Sequence, residues 1–228
     1  MSKENLNKEE EFIYNNTENK TLLQLKKSAD GGDLNSIYEY GMKLYKGEGI
    51  AIDCQTAAQY FKKSADKGHL QSIIMFCHMI IHKQAYTSVN ISRKEMMKYL
   101  KIGADNNNTF CIYFYASYIG DKDKNEKIRY LKKGDELGDI KCTYSLGKEL
   151  IYDKSLALYP EECAFYLEKA ANKTKDGTEA FDYAMELQSG FHITQNEQKA
   201  SKYFKLAADK GNIDAIREYY SCIKNERS

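Results

Sequence analysis

The nine residues Tyr203-Phe-Lys-Leu-Ala-Ala-Asp-Lys-Gly211 decide the fold, because versions of this segment recur along the whole chain. Five other copies begin at Gln24, Tyr60, Tyr99, Tyr130 and Tyr166. The steps between successive copies are 36, 39, 31, 36 and 37 residues. A period near 36 residues is typical of an array of helix pairs, in which each pair is one repeat.

Each copy is predicted to be the second helix of its pair, which we call helix B. A bulky residue is followed three and four positions later by small ones, as in Phe204, Ala207 and Ala208. These positions share one helical face, so a neighbouring helix can approach closely. Glycine then fits the left-handed residue that ends a helix, at Gly32, Gly68, Gly138 and Gly211.

The first helix of each pair, helix A, is predicted directly after this turn residue. Counted from the turn, positions +5, +8 and +12 form one apolar stripe, as in Ile73, Phe76 and Ile80. Positions +4 and +9 are mostly small. We therefore expect about twelve helices, six of each kind, within residues 20–224. Residues 1–19 are expected to be loosely ordered, and residues 225–228 form a tail.

The six cysteines mostly fall at repeat positions. Cys77, Cys111 and Cys142 stand at the small positions of helix A, and Cys163 stands where other copies of helix B have alanine. This predicts small buried side chains rather than a reactive set. The N-terminus lacks a secretory signal, and no CxxC occurs, so reduced thiols and a cytoplasmic location are expected. The even number of cysteines leaves disulfides as the alternative.

Several helix starts are marked by capping residues. Ser92 to Glu95 and Thr194 to Glu197 read as capping boxes. Pro160 fits the first turn of a helix. Asp53 and Asn196 stand at equivalent positions, as caps or first-turn residues.

The best copy resembles the Sel1-like repeat family. The residues that carry the resemblance are Tyr40-Gly41, Tyr45-Lys-Gly47-Glu-Gly49-Ile50, Asp53-x-x-x-Ala57, Tyr60-Phe61, Ser64-Ala65 and Gly68. The resemblance covers about residues 20–224. It implies an all-α fold similar to tetratricopeptide repeats, a right-handed α-α superhelix (solenoid) of about five to six helix pairs.

The middle copies depart from the family pattern. Lys83 and Asp153 occupy the first glycine position of the turn from helix A to helix B, and the copy near Asp121 is shortened. We expect these links to take another conformation, because a side chain disfavours the left-handed region. The solenoid is therefore predicted to be irregular between about Lys83 and Ser155.

The resemblance implies a non-enzymatic scaffold or adaptor that binds a protein partner on its concave face. In such a solenoid the A helices line that face. Position +6 of helix A edges it, which makes a candidate partner-binding column of Tyr38, Ile74, Tyr113, Tyr144 and Phe181. The alternative is that helix A packs on two neighbours and needs a wide apolar arc.

Other classes of function find less support. Lys and Arg total 34 against 33 for Asp and Glu, so no net charge favours nucleic acid. No apolar stretch is long enough to span a membrane, and no phosphate-loop, dinucleotide or hydrolase motif occurs. His78 and His82 share a helical face but lack the glutamate of a zinc protease. We predict no metal, cofactor or catalytic residue.

Two alternatives to the scaffold remain open. One is a secreted effector that acts on host proteins, a role that the family includes. The other is hydrolysis of a small substrate, of the β-lactamase type linked to cysteine-rich relatives. In those relatives cysteines pair within each repeat at short spacing, and this chain lacks such pairs.

The last predicted helix leaves its outer side uncovered. Its stripe of Ile216, Tyr219 and Ile223 can pack on the preceding helix only. Solenoids usually close with polar residues, and Arg217 and Lys224, together with Glu218, could serve. Otherwise this end is a contact surface, with self-association as one possibility.

Overall fold

The computed structural model describes residues 21–83, 90–153 and 160–226, and within them the chain forms twelve α-helices. They are α1 (21–30), α2 (Leu34–Lys46), α3 (Cys54–Ala65), α4 (Leu70–Ile81), α5 (Arg93–Asp105), α6 (Thr109–Ile119), α7 (Lys124–Glu136), α8 (Ile140–Tyr152), α9 (Pro160–Ala171), α10 (Thr178–Ser189), α11 (Glu197–Asp209) and α12 (Ile213–Glu226). Odd-numbered helices are the predicted B helices and even-numbered ones the A helices. The prediction of six helix pairs is confirmed. The segment 1–19 and the end of the tail lie outside the described residues.

The chain divides into two compact units, residues 1–111 and 112–228, with the division inside α6. In the first unit α2 packs on α3, α3 on α4 and α4 on α5. In the second unit the same order holds from α7 through α12. From α2 to α5 and from α7 to α12, each helix therefore packs on its neighbour in sequence, as an array of helix pairs requires.

The predicted apolar stripes of helix A are the core of each repeat. Five of the six are buried, from Ile37, Tyr40 and Leu44 of α2 to Ala180, Tyr183 and Leu187 of α10. The stripe of α12 differs, because Ile216 stays 40% exposed. The polar residues around it do not cover this apolar face.

Helices A and B of one pair approach so closely that a bulky residue on one helix must face a small residue on the other. A Cβ placed on Gly41 of α2 would lie 2.8 Å from the Phe61 ring of α3. A Cβ on Gly147 of α8 would lie 2.8 Å from Leu167 of α9. Both distances are shorter than carbon atoms tolerate, so only glycine fits at these two positions.

A second close approach joins each helix B to the helix A that follows it. Facing residues are both small, and their volumes compensate each other. Such contacts join Ser28 to Ser36, Gly103 to Cys111 and Gly134 to Cys142. Ser64 with Ser72 and Ala207 with Ala215 stand at the equivalent positions. A Cβ on Gly103 would lie 2.8 Å from the Cβ of Cys111. Cysteine is therefore accommodated where its partner is glycine.

Capping side chains start most A helices, a feature that the sequence reading missed. The residue after the turn accepts a hydrogen bond from the backbone N–H three residues later. These caps are Asp33, His69, Asn108, Asp139 and Asn212. The predicted caps Asp53 and Ser92 are confirmed. Thr194 as a cap is wrong, because Asn196 accepts from the N–H of Lys199 at 2.8 Å.

The links from helix A to helix B were expected to leave the left-handed conformation at Lys83 and Asp153, and at Lys83 this expectation is wrong. Lys83 keeps the left-handed conformation of the glycines, with φ of 57° against 76° for Gly47. This costs a non-glycine residue about 1–2 kcal/mol, which the surrounding fold offsets. At Asp153 the backbone is extended instead, with φ of −127°. After α6 a short 3-10 turn at Gly120–Lys122 makes the link.

Tyrosines of successive B helices connect one repeat to the next. The hydroxyl of Tyr60 in α3 donates to Asp30 of α1 at 2.8 Å, and that of Tyr99 in α5 donates to Asp66, just past the end of α3. In the second unit Tyr203 of α11 donates to Asn172, just past the end of α9, at 3.0 Å. The tyrosine that opens the recurrent segment thus has a structural role.

The facing small residues generate a first prediction. Gly103→Ala should lower the free energy of unfolding by about 1–3 kcal/mol, because the added methyl group overpacks against Cys111. An exposed Gly→Ala in a helix would instead gain about 1 kcal/mol. Adding Cys111→Ala should recover part of the loss, since Ala207 and Ala215 already form such a pair. Urea unfolding of both single variants and the double variant measures this coupling, and additive effects would contradict it.

The hydrogen bond from Tyr99 of α5 to Asp66 generates a second prediction. Burial opposes ionisation of Asp66, but hydrogen bonds from Tyr99 and Lys62 lower its pKa below the usual range. The stabilisation is therefore present at neutral pH and is lost as pH falls through the lowered folded-state pKa. Tyr99→Phe should cost about 1 kcal/mol at pH 7, the lower range for a half-exposed charged acceptor.

The check is chemical unfolding of the wild type and Tyr99→Phe at pH 7 and near pH 3. The difference between them should shrink at the lower pH. An unchanged difference would show that the hydroxyl stabilises the protein without the Asp66 carboxylate.

Candidate protein-binding surface

The predicted column at position +6 lies at the edge of the core, since all five of its side chains are half-buried. In the first unit, the Tyr38 ring packs on Phe61 at 5.9 Å between centroids and on His69 at 5.6 Å. Ile74 lies beside Gly103 of the following helix B. One side of each residue therefore supports the contact between helices A and B.

In the second unit the column makes polar contacts as well. The ammonium group of Lys141 in α8 lies 5.8 Å from the centre of the Tyr113 ring of α6. The hydroxyl of Tyr144 donates to Asp182 of α10. Burial and the neighbouring Asp182 carboxylate raise the pKa of Tyr144. Phe181 packs on Phe204 of α11 at 5.8 Å, as Tyr38 does on Phe61.

Additional residues of α8 extend this surface, and the sequence reading missed them. The Lys148 ammonium lies 6.0 Å from the Tyr144 ring and 5.5 Å from the Tyr152 ring. Tyr152 is 71% exposed. We call the set Tyr113, Lys141, Tyr144, Lys148 and Tyr152 the tyrosine–lysine strip. The steps of three and four residues along α8 place its four members on one face, a signal that the sequence contains, but their proximity to Tyr113 of α6 is visible only in the structure.

Acidic residues of α10 hold the strip on one side. The Glu186 carboxylate lies 4.0 Å from Lys148 and 2.7 Å from the His192 ring. His192 in turn packs on Tyr152 at 6.0 Å. The strip on α8 thus makes contacts with the next A helix, α10, of the same unit.

The first unit carries a cluster of rings on its A helices. His78 and His82 of α4 lie 4.4 Å apart between ring centroids, and Phe110 of α6 lies 5.2 Å from His78. Within the described ranges, no group of three histidine, cysteine or carboxylate side chains is arranged to hold a metal ion.

A cavity of about 350 Å³ lies in the second unit, lined by Glu161, Ala164, Tyr183, Leu187, His192, Ile193, Thr194, Asn196 and Lys199. Several of its polar groups already have partners. Lys199 lies 2.8 Å from Glu168, and Asn196 caps α11. Burial opposes the charge of Lys199, but the hydrogen bonds of Glu168 and Tyr183 raise its pKa to about 12. A lysine with so high a pKa does not act as a base at neutral pH.

The cysteines are reduced thiols throughout the described part of the chain. Cys77, Cys111, Cys142 and Cys163 are buried, as predicted. A hydrogen bond with Cys111, together with burial, raises the pKa of Cys77. Burial likewise raises the pKa of Cys142 and Cys163. Protonated thiols are poor nucleophiles, which weakens the hydrolase alternative at these positions.

Consecutive helix pairs with a recurrent register define a helical-repeat protein. More narrowly, the chain carries three Sel1 repeats, at residues 34–69, 140–174 and 180–212. These segments correspond to the pairs α2–α3, α8–α9 and α10–α11. The predicted resemblance to the Sel1-like repeat family is confirmed.

Solved structures share this fold. A protective antigen of uropathogenic Escherichia coli strains, which displays an SLR fold, is 21% identical with a TM-score of 0.66, and the match covers 87% of this chain and 43% of that protein. A Sel1 repeat protein from Oxalobacter formigenes is 18% identical with a TM-score of 0.65, covering 82% and 75%. At such identities the likeness shows the fold alone. This chain spans less than half the length of the E. coli protein.

No curated protein matches the sequence. Among the helices that the structure describes, none has both the length and the apolarity of a membrane span.

Thiol burial generates a third prediction. Ellman's reagent should react readily with the half-buried Cys54 and Cys222 in the native protein, because reaction requires access to the sulfur. The other four thiols should react only on unfolding. Mass spectrometry after a short treatment identifies the modified residues, with a denatured sample as the control. Early modification of Cys77 or Cys142 would contradict the buried role.

Proposed function

We propose that the chain is a non-catalytic scaffold that binds a protein segment along the face of its A helices. The single observation that carries this proposal is the tyrosine–lysine strip of the second unit. There, half-exposed rings and ammonium groups alternate along α8 and beside α6.

The chemistry of the strip suits a protein ligand. Tyrosine buries a large apolar area on binding and keeps a hydroxyl for hydrogen bonds, which is why it is frequent at binding hot spots. Lys141 and Lys148 add positive charge next to the rings. This combination favours a segment that presents apolar side chains together with a carboxylate.

The strip is also organised in advance. Tyr144 is held by Asp182, and Lys148 lies between the rings of Tyr144 and Tyr152 and near Glu186. Ordered side chains lose less conformational entropy on binding, so more of the contact energy contributes to affinity. Phe181 belongs to the same column and the same unit, and would widen the apolar wall beside the strip. Tyr38 and Ile74 hold the equivalent position in the first unit and form a separate part of the proposed column.

The proposal also includes a non-catalytic role and a cytoplasmic location, and the state of the thiols and of the cavity supports these two points. The buried thiols with raised pKa and the paired groups of the cavity favour binding rather than catalysis. Reduced cysteines fit a reducing compartment, so we place the protein in the cytoplasm.

The fourth prediction tests the strip. Tyr113→Ala combined with Tyr144→Ala should reduce recovery of specific partners by about 30-fold, the effect of losing one hot spot. Quantitative mass spectrometry of proteins recovered with tagged wild type and variant from the native cell measures it. Recovery equal to that of the wild type would count against the strip.

The matched control is Phe165→Ala. This aromatic residue is exposed on helix B α9 of the same unit, with the Lys169 ammonium 6.0 Å from its ring. It thus repeats the ring and ammonium pair on the other face. Recovery should stay unchanged, and a loss as large as that of the strip variant would place binding on the B helices.

A further inference from the structure

The last A helix exposes a regular apolar seam. Ile213 is 77% exposed, Ile216 40% and Tyr220 68%, and Ile223 is half-buried. Their spacing of three, four and three residues is that of the a and d positions of a coiled coil. Such a seam fits another helix, whereas an extended segment would need contacts along a groove.

The seam is not shaped for a further helix B of the same repeat pattern. Tyr220 stands at position +9, which is small and buried in the other A helices. The equivalents are Gly41, Cys77, Ala116, Gly147 and Ala184. At Gly147 even a Cβ would lie 2.8 Å from the Leu167 side chain of the following helix B. A tyrosine at this position therefore prevents a helix B from approaching in the usual way.

We propose that this seam binds α12 of a second copy of the chain, with the two helices antiparallel. A two-fold axis near residue 218 places Ile213 opposite Ile223 of the second copy and Ile216 opposite Tyr220. The seam residues of the two copies then form four layers of facing side chains. All four layers are apolar, and each tyrosine faces an isoleucine. A symmetric pair of this kind uses one self-complementary patch on both copies.

Charged residues beside the seam of α12 fit the antiparallel arrangement. Asp214 lies near the start of α12 and Lys224 near its end, so an antiparallel copy brings opposite charges together. Arg217 lies close to the two-fold axis and faces its own copy. Its guanidinium is 3.9 Å from the Asp214 carboxylate, which reduces the repulsion.

The first test is the mass of the full chain in solution. Sedimentation equilibrium over a range of concentrations should give a mass that rises toward twice 26.3 kDa. Combining Ile213→Glu with Tyr220→Glu should return the mass to that of one chain. Both residues are exposed in the single chain, so the circular dichroism spectrum should stay near wild type. At concentrations where the wild type is a single chain, the Tm should also stay near wild type.

The matched control is Phe165→Glu, which places a charge at an exposed aromatic residue of α9 in the same unit. This variant should associate like the wild type. A wild-type chain that stays single at all concentrations overturns the proposal. So does association that survives the α12 variant or is lost equally in the control.

Cross-linking tests the orientation. In a background with Cys54→Ser and Cys222→Ser, the added Arg217→Cys should be joined across the axis by a short bismaleimide. Ile213→Cys should not be joined, because the two copies of residue 213 lie at opposite ends of an antiparallel pair. Cross-linking through residue 213 but not residue 217 would overturn the antiparallel arrangement.

Discussion

The close approach of neighbouring helices is the constraint on which the rest of the structure depends. Phe61 can pack against α2 only because Gly41 has no side chain, and Leu167 has the same relation to Gly147. Where helix B meets the next helix A, Gly103 makes room for the thiol of Cys111. These contacts set the distance between helices in each unit, so they also decide which side chains are enclosed.

The same constraint separates structural from exposed tyrosines. On the B helices, Tyr60 and Tyr203 turn their hydroxyls toward polar groups of the preceding helix B and connect the repeats. On the A helices of the second unit, Tyr113 and Tyr144 lie at the edge of the core, with lysines beside their rings. A tyrosine-rich repeat thus uses one residue type for two purposes.

Repeat positions could be predicted from the sequence, because each one recurs in six copies. The register, the buried stripes and the roles of the cysteines follow from that recurrence. Local choices within one copy could not be predicted. Lys83 keeps a left-handed turn because the fold around it determines the backbone, although side-chain sterics alone favour another conformation. Thr194 and Asn196 both suit a helix start, and the position of α11 selects Asn196.

The candidate surface was predictable only in part, for a related reason. A column of residues at one repeat position is visible in the sequence, so Tyr113 and Tyr144 could be selected. Lys141 and Lys148 occur in one repeat alone, and their relation to the rings depends on how α6 and α8 pack. The strip therefore required coordinates, whereas the wide apolar arc of helix A required only the pattern.

A site-specific photo-cross-linker tests binding to the A-helix face most directly. It would replace Lys141 on α8 in one variant and Lys205, which is exposed on helix B α11, in another. Irradiation in the native cell should give a discrete adduct with the same partner from position 141 and none from position 205. An adduct from position 205 alone, or equal adducts from both positions, would contradict recognition by the face of the A helices.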